Sequence, residues 1–280
     1  MLKQIKFLNN YCKSRNLKIN NFFINTKTGK TSLIYINSHE NQKTIIFTHG
    51  FGNDKYYPFI ELFTKFLENG FSIITFDLPG HGKDNSTLFS IKSSINTLEK
   101  VILFSKKKLK INEKNIILLG HSLGGSLCLY ESSKNSFGGI IIIGSPYKIE
   151  FKKTMFLEIL SFFYIRILSQ LKIYSINGLI PSFGILKRKY YPLRMKSVDK
   201  IKTMSEQLEK INILEKIKNT RIPCLQIHGK FDLISPINQA LVIKKNYKGK
   251  IKSVYLNHTH LTIIYSKDTI NEIIKWLKKI

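Results

Sequence analysis

Short apolar runs rich in β-branched and aromatic residues recur along the chain at 33–36, 44–48, 72–76, 115–119, 139–143, 224–227 and 253–256. Most are continuously apolar, the pattern of strands covered on both faces, as in a parallel sheet. Between them lie segments with helical spacing at 57–68, 91–109, 123–133, 238–245 and 267–278. In the last of these, Ile270, Ile273, Ile274 and Leu277 follow i, i+3, i+4, i+7 and so form one apolar stripe. Ser235-Pro236 predicts a helix start, with the serine as cap and the proline in the first turn. Strand–helix alternation of this kind predicts an α/β fold, a mostly parallel sheet with helices on both faces. The closely spaced early strands, around 20–36, predict an antiparallel edge.

The stretch 149–208 breaks the alternation. It is apolar, aromatic and basic, with ten basic residues between 151 and 200 against Glu158 and Asp199. It reads as a mainly helical insertion between two sheet strands, leaving 1–148 and 209–280 to build the core. Its most apolar part, 155–173, is interrupted by Glu158, Arg166 and Gln170 and falls short of a membrane-spanning helix.

Length and charge narrow the possibilities. The 280 residues suit one large domain or two small ones. Lys and Arg number 45 against 18 acidic residues, a net charge of +27. Only five of the 45 are arginine, and Ala240 is the single alanine, while Ile and Asn abound. That combination points to A/T-rich codons more than to a basic binding face. Nucleic-acid readout favours the planar fork of arginine, so no specific nucleic-acid partner is expected. Cys12, Cys128 and Cys224 are odd in number and lack metal-ligand spacing, which fits reduced thiols in a reducing compartment. Lysines stand where a signal peptide would carry its apolar core, so a cytoplasmic protein is expected. No cluster of His, Cys and carboxylates suggests a metal, and nothing suggests a cofactor.

The chemistry concentrates at the ends of the apolar runs. Residues 116–119 lead into Gly120-His121-Ser122-Leu123-Gly124 and then a helical segment. This is the layout of a nucleophile elbow, a sharp strand-to-helix turn that lifts a serine above a sheet, with glycines where side chains have no room. Ser122 then needs a base, an acid to orient the base, and donors for a developing oxyanion. Asp232 follows the run ending at His228-Gly229, at the carboxyl end of a predicted parallel strand, where ligand sites of open α/β sheets gather. His258 and His260 lie in the loop after the last run. His260 is preferred as base because it sits farther past the strand end, which leaves His258 a supporting or solvent-facing role. In Thr48-His49-Gly50-Phe51-Gly52, another strand runs into a glycine-rich turn. The backbone N–H groups of Phe51 and Leu123 are the candidate oxyanion donors. His49, His81, His121 and His228 are expected to hold loops by hydrogen bonds, and Asp77 is expected to be scaffold.

The order Ser122, Asp232, His260, together with the elbow, the His49-Gly50 turn and Asp77-Leu-Pro-Gly-His-Gly82, resembles the α/β-hydrolase superfamily over roughly residues 30–280. Within it the chain is most similar to the group of lysophospholipases, monoacylglycerol lipases and bacterial carboxylesterases. Serine at 122 sets it apart from haloalkane dehalogenases and epoxide hydrolases, which resemble this fold but carry aspartate there. The resemblance implies a Ser-His-Asp serine hydrolase acting on carboxylic esters, with 149–208 in the place of the family's cap or lid. A lipid or acyl-chain substrate, and weak association with an anionic membrane surface, would suit the aromatic and basic content of that insertion. Thioesterase, acyltransferase, amidase or peptidase chemistry uses the same triad, and a non-catalytic binding protein on the same scaffold is a further alternative.

Overall fold

The apolar runs become strands of one sheet in the computed structural model, which describes residues 2–38, 43–56, 60–84, 89–134, 136–148 and 206–280. The strands are β1 (Ile19–Thr26), β2 (Gly29–Ile36), β3 (Thr44–Thr48), β4 (Ser72–Phe76), β5 (Ile116–His121), β6 (Gly139–Ile143), β7 (Cys224–Gly229) and β8 (Ile251–Leu256). They lie in the order β1-β2-β4-β3-β5-β6-β7-β8. From β4 to β8 every neighbouring pair is parallel. β1 and β2 form the antiparallel edge expected from their spacing, and β2 joins the sheet by antiparallel pairing with β4. The chain passes from β3 outward to β4 and then back over β3 to β5. That makes the gap between the carboxyl ends of β3 and β5 a topological switch point, where a crevice opens.

Each central strand feeds two cores because its side chains alternate between faces. Ile45 and Phe47 of β3 enter one cluster and Ile46 the other. The first face is covered by α1 (Leu2–Ser14), α2 (Ile60–Glu68) and the C-terminal helix Lys267–Leu277, through Leu8, Phe63, Phe66, Ile273 and Trp276. The second is covered by α3 (Ile91–Lys107), α4 (Leu123–Ser132) and the helix Ile237–Asn246, through Leu98, Val101, Leu127 and Ile243. At about 1.5–3 kcal/mol for each fully buried large aliphatic side chain, burial on both faces explains why these strands have no polar period.

Two local features differ from the sequence reading, and a third lies mostly outside the described residues. α1 has no counterpart in it, because lysines break up the apolar run. In the structure Leu8 and Cys12 are buried and Ile5 is partly so, spaced as one face of a helix packed on the first core. Ser235 does not cap the helix after it. Pro236 is the N-cap residue, with no side-chain cap bond, and the Ser235 N–H is given to Asp232 Oδ1 at 2.7 Å. The expected insertion at 149–208 falls mostly outside the described residues. At its far end, Leu208 is fully buried in the second core and Gln207 Oε1 accepts the Ile91 N–H at 2.9 Å.

Asp77 is scaffold by contact as well as by position. Its carboxylate accepts the backbone N–H groups of Lys55 (3.0 Å) and Lys83 (2.9 Å) and pairs with the buried Lys55 ammonium. A Cβ on Gly82 would lie 2.3 Å from Asp77 Oδ1, so this loop closes only around glycine. The three cysteines are buried and unbridged. Among the described residues no helix is long and apolar enough to cross a membrane.

Candidate active site

The turn between β5 and α4 is a strained one. Ser122 has φ 53° and ψ −124°, a region that non-glycine residues rarely occupy and that costs on the order of 1–3 kcal/mol. The surroundings hold it there. The Ser122 N–H donates to Ile143 O at 2.9 Å, tying the turn to the end of β6. Its flanking glycines have no space for a side chain. A Cβ on Gly120 would lie 2.3 Å from the Gly124 carbonyl carbon, and one on Gly124 would lie 2.0 Å from Thr48 O. α4 therefore starts pressed against the end of β3, which brings the serine to the switch-point crevice.

The two loops beyond β7 and β8 meet the serine there. Ser122 Oγ lies 2.9 Å from His260 Nε2, and His260 Nδ1 lies 2.8 Å from Asp232 Oδ2. Asp232 and His260 are 3% and 5% exposed, so both bonds are shielded from bulk water, while Ser122 is half-buried. Asp232 Oδ1 accepts the backbone N–H groups of Ile234 (3.0 Å) and Ser235 (2.7 Å), which leaves Oδ2 facing the imidazole. A carboxylate only accepts hydrogen bonds, so it selects the His260 tautomer protonated at Nδ1. Nε2 then carries the lone pair toward the serine hydroxyl, which is the arrangement a general base requires.

His258 does not take part in this chain of bonds. Its Nδ1 lies 3.4 Å from Thr262 Oγ1, and its carbonyl accepts the Phe231 N–H at 3.1 Å, bracing the acid-bearing loop. The backbone at the end of β6 closes the other side. Gly144 has φ +55°, and a Cβ there would lie 3.2 Å from Asp232 Oδ2 and 3.4 Å from His260 Nδ1. A glycine after an apolar run was the only trace of this role in the sequence.

The two candidate oxyanion donors flank the serine. Leu123 is the first residue of α4, so its N–H has no intrahelical acceptor and lies at the positive end of the helix. Phe51 follows Gly50, whose Cβ position would be only 3.1 Å from Ser122 Cβ. The Phe51 ring packs at 5.2 Å against Phe89 and 5.7 Å against His81.

The remaining histidines are buried loop ties. His121, next to the nucleophile, packs at 5.1 Å against His260 with the rings tilted, and His228 Nε2 donates to Ser235 O at 2.6 Å. Burial lowers His49 to about 4 and His81 and His121 to about 3, and it lowers His228 and His258 as well. Such groups are neutral when folded but take up protons near pH 6.5 when unfolded, so their stabilisation is complete above pH 6.5 and is lost as pH falls toward their folded values. Glu131, raised to about 7 by burial, and Asp77 and Glu61, also raised by burial, act in the opposite sense. The lowered histidines outnumber them, so stability should fall between pH 7 and pH 5, by about 1.4 kcal/mol per pH unit for each net proton. Urea midpoints followed by the fluorescence of the single tryptophan, Trp276, measure this; a midpoint that rises on acidification would mean that the carboxyls dominate.

The fold has counterparts among known proteins. Residues 43–164 match the family model described as the alpha/beta hydrolase fold. A proline iminopeptidase from Saccharolobus solfataricus is 26% identical over 242 residues, covering 74% of this chain and 75% of that protein. Among solved structures, an esterase from Pyrococcus furiosus superposes with a TM-score of 0.69 at 15% identity, over 96% of this chain and 95% of that one. An esterase from Exiguobacterium antarcticum superposes with a TM-score of 0.66 at 19% identity, over 93% and 98%. Those two likenesses are of fold.

Proposed function

We propose that this chain, a member of the α/β-hydrolase superfamily, is a serine hydrolase that cleaves carboxylic esters through an acyl-enzyme on Ser122. The observation that carries the reading is the continuous hydrogen-bond chain from Ser122 Oγ through His260 to Asp232, at 2.9 and 2.8 Å. In this mechanism His260 Nε2 takes the hydroxyl proton as Oγ attacks the ester carbonyl. Asp232 stabilises the imidazolium that forms, and the N–H groups of Phe51 and Leu123 receive the oxyanion. The imidazolium then returns its proton to the leaving alkoxide, and water repeats the sequence to release the acid.

The similarity to a proline iminopeptidase favours a second reading, removal of an N-terminal proline with the same triad. An aminopeptidase must also bind the substrate's ammonium, and among the described residues the buried carboxylates of Asp232 and Asp77 are engaged elsewhere. Asp232 holds His260 and two backbone N–H groups, and Asp77 holds Lys55. An acyl-chain substrate, weak contact with anionic membranes and a cytoplasmic location belong to the same proposal. Three buried thiols support the location, and the basic insertion supports the lipid preference.

Fluorophosphonate labelling followed by peptide mapping, then turnover of p-nitrophenyl esters from acetate to decanoate beside a prolyl anilide and an acyl-CoA, tests the proposal. Labelling at Ser122 with esters turned over fastest is the expected result. Faster turnover of the prolyl anilide would install the peptidase reading, and no labelling at Ser122 would remove both.

A further inference from the structure

Both peptide bonds flanking Phe51 are held by buried histidine rings. The His49 ring is fully buried, with Nδ1 2.8 Å from Gly50 O and Nε2 3.0 Å from the Leu78 nitrogen. The His81 ring is fully buried as well, with Nε2 3.1 Å from the Gly52 nitrogen and Nδ1 2.8 Å from Pro79 O. The partners dictate the protons. Leu78 N–H and Gly52 N–H can only donate, so each Nε2 must carry its lone pair. Gly50 O and Pro79 O can only accept, so each Nδ1 must carry a hydrogen. Both rings are therefore locked as the neutral Nδ1–H tautomer, and protonating either would set two N–H groups against each other. The low values of about 4 and about 3, caused mainly by burial, agree with this.

The Gly50 carbonyl and the Phe51 N–H belong to one planar trans peptide and point in opposite directions. A donor that captures the carbonyl on one side therefore aims the N–H to the other side. We infer that His49 is a positioning residue for oxyanion stabilisation: its Nδ1–H holds the Gly50–Phe51 peptide in the one orientation that presents the Phe51 N–H beside Ser122. The inference rests on the ester-hydrolase reading above. Asn53 N–H also donates to Gly50 O, at 3.3 Å, from the following turn, and His81 secures the next peptide through Gly52. The rings of His49 and His81 pack at 5.1 Å, so the turn after β3 and the loop after β4 brace one another. Loss of the His49 donor leaves Gly50 O only the longer bond from Asn53, so the peptide rotates more easily, and a rotated peptide presents a carbonyl where the oxyanion needs a donor.

Two substitutions separate the two ring nitrogens. Asparagine places an amide N–H close to the Nδ1 position and has no acceptor at Nε2. Glutamine reaches the Nε2 position and cannot return a donor to Gly50 O. The readout is the ratio of kcat on p-nitrophenyl butyrate to kcat on its thionoester, in which sulfur, a weak acceptor, replaces the oxygen that gains charge. His49→Gln should lower kcat on the oxygen ester by about 10²-fold, within the 10²–10³ range for one oxyanion donor, with KM nearly unchanged. The thionoester rate should fall far less, so the ratio collapses at least tenfold. His49→Asn should keep the ratio within a few-fold of wild type. A purely structural role would depress both esters together, and equal ratios in the two variants would overturn the inference. If His49→Gln does not fold, loss of the ratio in folded His49→Asn overturns it just as firmly, and its retention supports it. Failure of the ester-hydrolase reading is seen separately, as wild-type protein that neither labels at Ser122 nor turns over either ester.

Discussion

Alanine at position 122 is expected to lower ester turnover by at least 10⁴-fold and to abolish fluorophosphonate labelling, with the protein still folded. The hydroxyl is the only atom lost, and His260 has no other acyl acceptor at 2.9 Å in the described geometry. Residual rate would come from the oxyanion donors and from binding alone, which elsewhere supply on the order of 10³–10⁴ over water. The backbone makes a second expectation. At φ 53° and ψ −124° a Cβ is strained, and glycine is not. Ser122→Gly should therefore be as inactive as Ser122→Ala and more stable than it by about 1 kcal/mol or more. Urea denaturation of the two variants measures the difference. Equal stabilities would mean that the turn carries no strain, and full turnover by either variant would remove Ser122 from the chemistry.

Asp232→Asn is expected to cost on the order of 10⁴ in kcat with little change in stability or KM. The reason lies in the partners of the two oxygens. Oδ1 receives two backbone N–H groups, from Ile234 and Ser235. In asparagine the carbonyl oxygen must keep that side, because an amide NH₂ there would face two donors. The NH₂ is then turned toward His260 Nδ1, which becomes an acceptor. The imidazole proton moves to Nε2 and points at Ser122 Oγ, so the base has no lone pair where it needs one. Substitution by glutamate, in contrast, keeps the charge but lengthens a side chain that is only 3% exposed, and should lose both activity and stability. A rate for Asp232→Asn within tenfold of wild type would show that tautomer control is not its role.

The elements were legible where one physical signal dominated. β3, β5 and β6 read clearly because they are buried on both faces, so their central positions are all apolar. The helix Lys267–Leu277 read clearly because only one stripe is buried. α1 was not legible: its stripe is short, and lysines interrupt it on the exposed faces. The cap expected of Ser235 failed for a different reason. The N-cap position falls one residue later, on Pro236, and the Ser235 N–H serves Asp232 in the acid loop.

The candidate site divides in the same way. By itself the chain determined which residue types stand at the ends of apolar runs: the serine between glycines, the aspartate past β7, two histidines past β8 and the glycine turn past β3. Those are local facts, written in strand pattern and turn chemistry. Only the tertiary structure decided between His258 and His260 as Ser122's neighbour, since both lie in one loop and just one ring turns toward Ser122 Oγ. It alone revealed Gly144 against the Asp232–His260 pair, and which peptides around Phe51 the loop-holding His49 and His81 engage. Distances between residues far apart in sequence follow from strand order and register, and hydrogen-bond direction follows from which partner can donate. Neither is encoded in any stretch of neighbouring residues.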